Sequence, residues 1–455
     1  MATGLRQKIK SQFELIGNKK FKENILNALP YWLGAFIIGV VSVMYTKLFA
    51  WAETGTQYIF HRAGWTFFII TPASFVIALW LVLKFAPFAR GSGIPQVSAA
   101  IELTNPKHNY RVNKLLGFRI MVIKILSSVI MVFGGGVVGR EGPTIQISAS
   151  IFKKINDLLP KWYPKISKRN MIVTGAAAGL ASAFNTPLGG IVFAIEELTK
   201  THFSYFKSAL LTGVIIAGFT ALSFLGPYLY LGYPQLDHIS PWVMFAIVPI
   251  AVIAGFAGSG MGRTILFLFK KKKALKKNYQ KLIYAAVCGL IIASLAFFID
   301  SRTFGTGKEI MANSLFTGNK NMDWYIPILR IFGPIASFST GASGGIFAPA
   351  LSAGASLGAF ISGMFHLPAT ETNLAILCGM TGLLTGITRS PFTSSILVLE
   401  MTNTHNIIFF IMLTALIANL VANLVSRHSF YDQLRDQYIS EIHKAELQQN
   451  IITEG

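Results

Sequence analysis

A chain of 455 residues with 53% hydrophobic and only 13% charged side chains carries about half the charge of a soluble domain, for which roughly 25% is usual. With a mean hydropathy of +0.54, lipid is its expected solvent, and the length suits about ten or more spanning or re-entrant helices of roughly 20 residues each. The net charge of +21 invites nucleic acid, but the cations stand in blocks between apolar runs: Lys8 to Lys22, Lys153 to Arg169, and Lys270–Lys273 with Lys276, Lys277 and Lys281. That is the positive-inside pattern of membrane loops, not the basic face that a nucleic acid needs.

Residues 1–29 are polar and mixed in charge, are not a secretory signal peptide, and read as a cytoplasmic N-terminal surface helix. Apolar segments follow at about 31–51, 66–87, 117–137, 171–195, 207–227, 241–268, 282–299, 325–336, 351–365, 373–400 and 406–425, many broken by Gly or Pro. Broken helices at membrane depth are tolerated where they line a cavity or are buried in protein. Cys288 and Cys378 lie in apolar stretches without metal or disulfide spacing and read as small core residues. Residues 427–455 form a short C-terminal helix and tail, with no soluble domain expected after them.

The membrane part divides into a first repeat, 30–227, and a second, 228–426. SAFNTPLGGIVFAIEELT (182–199) resembles GITRSPFTSSILVLEMTN (386–403), pairing Pro187 with Pro391 and Glu196 with Glu400. GREGPTIQISAS pairs with GGIFAPALSAGA, and GSGIPQV (91–97) with GTGKEIM (305–311). The offsets run from 204 (391 − 187) to 214 (305 − 91), and the signals keep their order. Transporters built from two such halves place the site at the repeat interface, at the ends of interrupted helices.

GSGIP, GREGP and GGIFAP each read as a loop entering a helix. A helix N-terminus exposes unpaired N–H groups and about half a positive charge. Glycine lets an anion approach the backbone, and Pro suits the first turn. Three such termini would hold an anion without a full cation, which would bind too tightly to release it. Tight helix packing is the other use of such glycines. Glu141, at membrane depth beside this path, is a functional candidate. Ionised, it would compete with the anion for the same amides; protonated, it would let go. The alternative is a permanent pair with Arg140, although sequence neighbours point to different sides of a helix start.

Glu196 and Glu197 end an apolar run, where solvated helix ends are usual. Glu196 has a repeat partner in Glu400, whereas Glu197 faces Met401, which makes Glu197 the candidate for a unique role. Lys124, inside RIMVIKILSS, either raises the local potential for anions or snorkels to the interface. Tyr431 follows the last apolar segment, where interfacial tyrosines are common.

Together GSGIP (91–95), GREGP (139–143) and GIFAP (345–349) resemble the three signature segments of the CLC chloride channel and transporter family, and AAGLASAFNTPLGGIVFAIEE (177–197) resembles a fourth. The resemblance runs from about residue 30 to 440. It implies an all-α polytopic membrane protein with two inverted repeats of tilted, broken helices. It also implies a homodimer with one anion path per subunit and both termini cytoplasmic. The central anion would sit on the hydroxyls of Ser92 and Tyr431 and the amides of Ile346 and Phe347. The outer site would use amides of Arg140, Glu141, Gly142, Phe347 and Ala348, and the inner site those of Gly91 and Ser92. Glu141 matches the external gating glutamate, and Glu197 the internal proton glutamate that family channels lack. Ser92 fits the chloride pattern, where proline would suggest nitrate and methionine fluoride. Gln96 departs from the glutamate common after GSGIP, a change not expected to alter the anion site, though it could change local pairing near the cytoplasmic side.

The expected function is chloride–proton antiport through Glu141 and Glu197, with a passive chloride channel as the alternative. Chloride and protons are the substrates, the bilayer the surroundings, and no cofactor, metal or nucleic acid is expected. An intramembrane enzyme would need a nucleophile, metal or cofactor site. The histidines are scattered without ligand spacing, and His61, beside Arg62 alone, reads as a surface residue. A bacterial inner membrane is the expected location.

Overall fold

The computed structural model describes residues 18–105, 109–199, 207–226, 229–318, 320 and 322–454. Residues 1–17 of the N-terminal segment, His108 and His202 lie outside that set. In chain order the α-helices, apart from the single turn Val112–Leu115, are α1 (Lys19–Ala63), α2 (Phe67–Phe85), α3 (Ile94–Glu102), α4 (Phe118–Phe133), α5 (Glu141–Leu158), α6 (Lys168–Phe184), α7 (Pro187–Phe193), α8 (Lys207–Leu225) and α9 (Met244–Lys273). They continue with α10 (Asn278–Phe298), α11 (Lys308–Phe316), α12 (Tyr325–Ser339), α13 (Phe347–Met364), α14 (Ala369–Thr388), α15 (Pro391–Thr402), α16 (Ile408–Val425) and α17 (Phe430–Glu454). No helix boundary falls between residues 29 and 30, since α1 runs straight across.

Two segments expected to be single are divided. The run 171–195 breaks between α6 and α7 at Asn185, which is left-handed at φ 57°, and Pro187 starts the next helix. The run 373–400 breaks between α14 and α15 at Arg389, φ 63°, before Pro391. A left-handed residue ends a helix, and Pro accepts the first position of the next because it has no N–H to satisfy. Arg389 is held in this conformation by donating to Asn419 O (2.9 Å), Asn423 Oδ1 (2.8 Å) and the carbonyls of Ala422 and Ser426 at the end of α16.

The duplication is visible in matched elements. α3 and α11, which start at paired motifs, are both 9 residues long; α5 and α13 are both 18. Helices α6, α13 and α14 are buried almost throughout and rich in Ala, Gly, Ser and Thr. A Cβ on Gly354 or Gly379 would collide with the other's carbonyl, so α13 and α14 cross backbone to backbone. The outer helices instead present large apolar side chains, such as Phe219, Phe298, Phe409 and Leu424 on α8, α10 and α16. Among the described residues seven helical stretches are long and apolar enough to cross a bilayer.

Candidate anion pathway

The three glycine-bearing loops meet. Gly139 and Gly345 exchange two backbone hydrogen bonds, N–H to O of 2.8 and 2.6 Å, which joins the GREGP loop to the GGIFAP loop. Gly91 N–H donates to Ala342 O (2.9 Å), and Gly344 N–H to Gly91 O (3.2 Å), which joins the GSGIP loop to the same segment. The N-termini of α3, α5 and α13 are thereby gathered around one point. The cap residues Gly93, Arg140 and Ile346 already accept the first helical bonds, from Val97, Thr144 and Ala350. The amides that follow each cap have no partner inside their helix. Only glycine fits at Gly93: its φ is 107°, and a Cβ would stand 2.8 Å from Gln146 Cβ.

Ser92 and Tyr431 face this point with unsatisfied hydroxyls. Both are buried, and neither Ser92 Oγ nor Tyr431 Oη has a hydrogen-bond partner. They lie beside one another, and a Cβ on Gly142 would strike Ser92 Oγ. The ring of Tyr431 packs 6.2 Å from that of Phe347, so α17 and the start of α13 close one wall. A buried hydroxyl without a partner costs on the order of 1–3 kcal/mol unless something accepts from it, and of the several in this structure these two stand together beside the starts of α5 and α13. An anion accepts from both hydroxyls and from the surrounding amides.

Glu141 is fully buried, and its carboxylate has no hydrogen bond. The closest N–H groups are its own and that of Ala348, both outside bonding geometry. The carboxylate folds back against Gly139, where a Cβ would overlap Oε2 and touch Ala348 Cβ at 3.3 Å. It is not paired with Arg140, whose guanidinium instead donates to Ala183 O at 3.2 Å. The side chain therefore sits at the crossing of the α5 and α13 N-termini, where an anion would sit.

Glu197 is buried in the π-helical turn Ala194–Thr199 that continues α7. It accepts from Ser390 Oγ at 2.7 Å. Glu197, Phe193, Phe347, Ser390, Ser394 and Tyr431 line one tight space, so Glu197 shares a wall with Tyr431 and Phe347. Lys124 does not snorkel: it is fully buried and donates to Gly91 O at 2.8 Å. Gln96 Nε2 donates to Arg90 O (2.6 Å), Phe88 O (3.1 Å) and Tyr438 Oη (3.2 Å), tying the GSGIP loop to α17.

A family model described as voltage gated chloride channel matches residues 74–423. The chain belongs to the CLC family. This CLC chain is 28% identical over 420 residues to an H(+)/Cl(-) exchange transporter ClcA of Salmonella arizonae and to one of Salmonella paratyphi B, covering 88% of this chain and 85% of each relative. Its fold is similar to that of a slow cyanobacterial Cl-/H+ antiporter, with a TM-score of 0.79 at 23% identity over 91% of this chain and 98% of the other. A CLC-type fluoride/proton antiporter matches at 0.74 and 20%, with the same coverage. The chain is therefore a multi-pass integral membrane protein of CLC-type anion transport, not an enzyme.

Three features of this CLC chain escaped the sequence reading. Glu196 is not a solvated helix end. Its carboxylate accepts from the N–H of Phe392 (3.2 Å) and from the N–H and hydroxyl of Thr393 (both 2.7 Å) in the first turn of α15. Glu400 does the same for α7, accepting from Leu188 (3.0 Å) and Gly189 (2.7 Å). Each repeat thus caps the other's helix, and the reciprocity requires α7 and α15 to run antiparallel, as inverted halves must. The Pro187–Glu196 and Pro391–Glu400 spacings held that signal. Second, Arg330 is fully buried and donates to Ser352 Oγ (2.7 Å) and to the carbonyls of Arg302, Thr303, Phe304 and Gly305. Third, Glu53 accepts from the N–H (3.0 Å) and hydroxyl (2.7 Å) of Thr306. Arg330 and Glu53 together fix the GTGK turn, whose Lys308 lies within electrostatic reach of Glu141.

Proposed function

We propose that the chain exchanges chloride for protons in opposite directions. The carrying observation is Glu141: a buried carboxylate with no hydrogen bond or ion pair, lodged where helix N-termini and free hydroxyls prepare a place for an anion. Ionised, it fills that place; protonated, it vacates it. An anion and a proton then compete through one side chain. Chloride rests centrally on Ser92, Tyr431 and the amides of Ile346 and Phe347, outside on the amides of Arg140, Glu141, Gly142, Phe347 and Ala348, and inside on those of Gly91 and Ser92. Glu197 passes protons to Glu141 along the side that Tyr431 and Phe347 share with it.

The similarity to exchangers supports the coupled reading over a passive channel. The matched fluoride/proton antiporter makes fluoride the competing substrate, while Ser92 at the seat favours chloride. The two halves, 30–227 and 228–426, work as inverted repeats in a homodimer, with both termini on the cytoplasmic side of a bacterial inner membrane. The exposed apolar surfaces of α8 and α16 offer the dimer contact.

Liposomes loaded with chloride and bearing purified protein test this. An outward chloride gradient is expected to drive protons inward against their own gradient. Flat pH during chloride efflux would establish a channel. Glu141→Gln is expected to keep chloride flux and lose its proton dependence.

A further inference from the structure

Three of the four lysines in the block 270–273 are exposed, and Lys272 turns inward. Its ammonium donates to Ser339 O (2.8 Å) and Thr340 O (2.7 Å), the carbonyls that end α12. Among the described residues it has no carboxylate partner. A cation at a helix C-terminus is favourable, and this one reaches it because Gly341 is left-handed (φ 78°) and bare: a Cβ there would lie 2.6 Å from Nζ.

The gripped turn leads to the anion point. Thr340 Oγ1 accepts from Ala342 N–H (3.2 Å), Ala342 O accepts from Gly91 N–H (2.9 Å), and Gly344 N–H donates to Gly91 O (3.2 Å). Phe338, in the last turn of α12, packs on Gly91, where a Cβ would meet its ring at 3.3 Å. On the other side Lys124 holds the same Gly91 carbonyl. Gly91 is thus fixed by an ammonium from each repeat, directly by Lys124 and through the 339–344 turn by Lys272.

We propose that Lys272 is a positioning residue that sets the inner anion seat at Gly91 and Ser92 by gripping the 339–344 turn that pairs with Gly91. This rests on the anion reading of that seat. Glu141 and Glu197 belong to other loops, so Lys272 governs how tightly the anion is held and not how many protons accompany it.

The test is calorimetric titration of purified protein with chloride, paired with the chloride-to-proton ratio in liposomes. Lys272→Met is expected to weaken chloride binding about tenfold, on the order of one charge-assisted hydrogen bond, with the ratio unchanged. Lys272→Arg, which can grip the same carbonyls, is expected to restore binding to within about threefold. Lys270→Met, an exposed neighbour, is expected to bind like wild type. Wild-type affinity in a folded Lys272→Met protein overturns the proposal, and so does equal weakening by Lys270→Met, which would make the effect one of surface charge. Should Lys272→Met not fold, Lys272→Gln serves: intermediate weakening supports the grip, and wild-type affinity overturns it. If the wild type binds no chloride, the anion seat and this proposal fall together; if wild type and Lys272→Met bind alike, only this proposal falls.

Discussion

The reciprocal caps make a prediction that few other folds would make. Glu400→Ala removes the acceptor for the first-turn amides of Leu188 and Gly189, which lie about 200 residues away in sequence. A hydrogen bond to a charged group contributes about 1.5–3 kcal/mol net, so two such bonds give roughly 3–6 kcal/mol. Glu400 is partly exposed, and water can satisfy some of what is lost, which puts the expected local cost near the lower bound, about 3 kcal/mol. At 1.4 kcal/mol per decade that is on the order of a hundredfold faster opening of α7. Hydrogen–deuterium exchange with peptide-level readout measures it. Glu400→Ala should accelerate exchange in 187–193 and leave its own helix, 391–402, less affected. Glu196→Ala should give the mirror result, acceleration in 391–402, with a somewhat larger effect because Thr393 contributes a hydroxyl as well. Acceleration confined to the helix that carries each substitution would refute the reciprocal arrangement, and with it the antiparallel relation of the two halves.

Other outcomes follow from the same geometry. Glu197→Gln should abolish proton movement and spare chloride flux in liposomes; loss of both would remove Glu197 from the proton route. Lys124→Met should weaken chloride binding about tenfold, on the scale of one charge-assisted bond. Its melting temperature should hold or rise, because a buried cation without a carboxylate is costly; a lower melting temperature with unchanged binding would make Lys124 purely structural. Gln96→Glu should make chloride binding pH-dependent. The neutral acid can still donate to Arg90 O, whereas the carboxylate would face the carbonyls of Phe88 and Arg90. Binding should therefore be near wild type at acid pH and weaken as pH rises through the new group's titration; a flat profile would contradict the role given to the Gln96 amide.

Much of the site was legible because its chemistry is written in short, local signals. Glycines before a Pro-bearing helix start announced three loops, and a lone Glu141 inside them could be weighed without knowing where the loops met. Their meeting was not legible. It depends on backbone pairing between Gly139 and Gly345 and between Gly91 and Ala342, and backbone amides leave no residue type to read. Lys272 was hidden for a related reason. Four consecutive lysines look alike in sequence, and only the helical phase of α9 against the end of α12 turns one of them inward. The breaks at Asn185 and Arg389 were missed because left-handed residues there are not glycine; Arg389 is held in place by carbonyls of α16. Glu196 reads as a solvated end in the sequence because the helix it caps, α15, lies about 200 residues further along the chain.

The central claim is that backbone dipoles and two hydroxyls, not a fixed cation, make the halide seat that Glu141 can occupy. Anomalous diffraction from bromide-soaked crystals of Glu141→Gln tests it directly. Peaks are expected between the Ser92 and Tyr431 hydroxyls and the amides of Ile346 and Phe347, and a further peak at the amides of Arg140 to Gly142 where the carboxylate had been. Bromide found instead against the side chain of Arg140, Lys124 or Lys308, with both of those positions empty, would contradict the account.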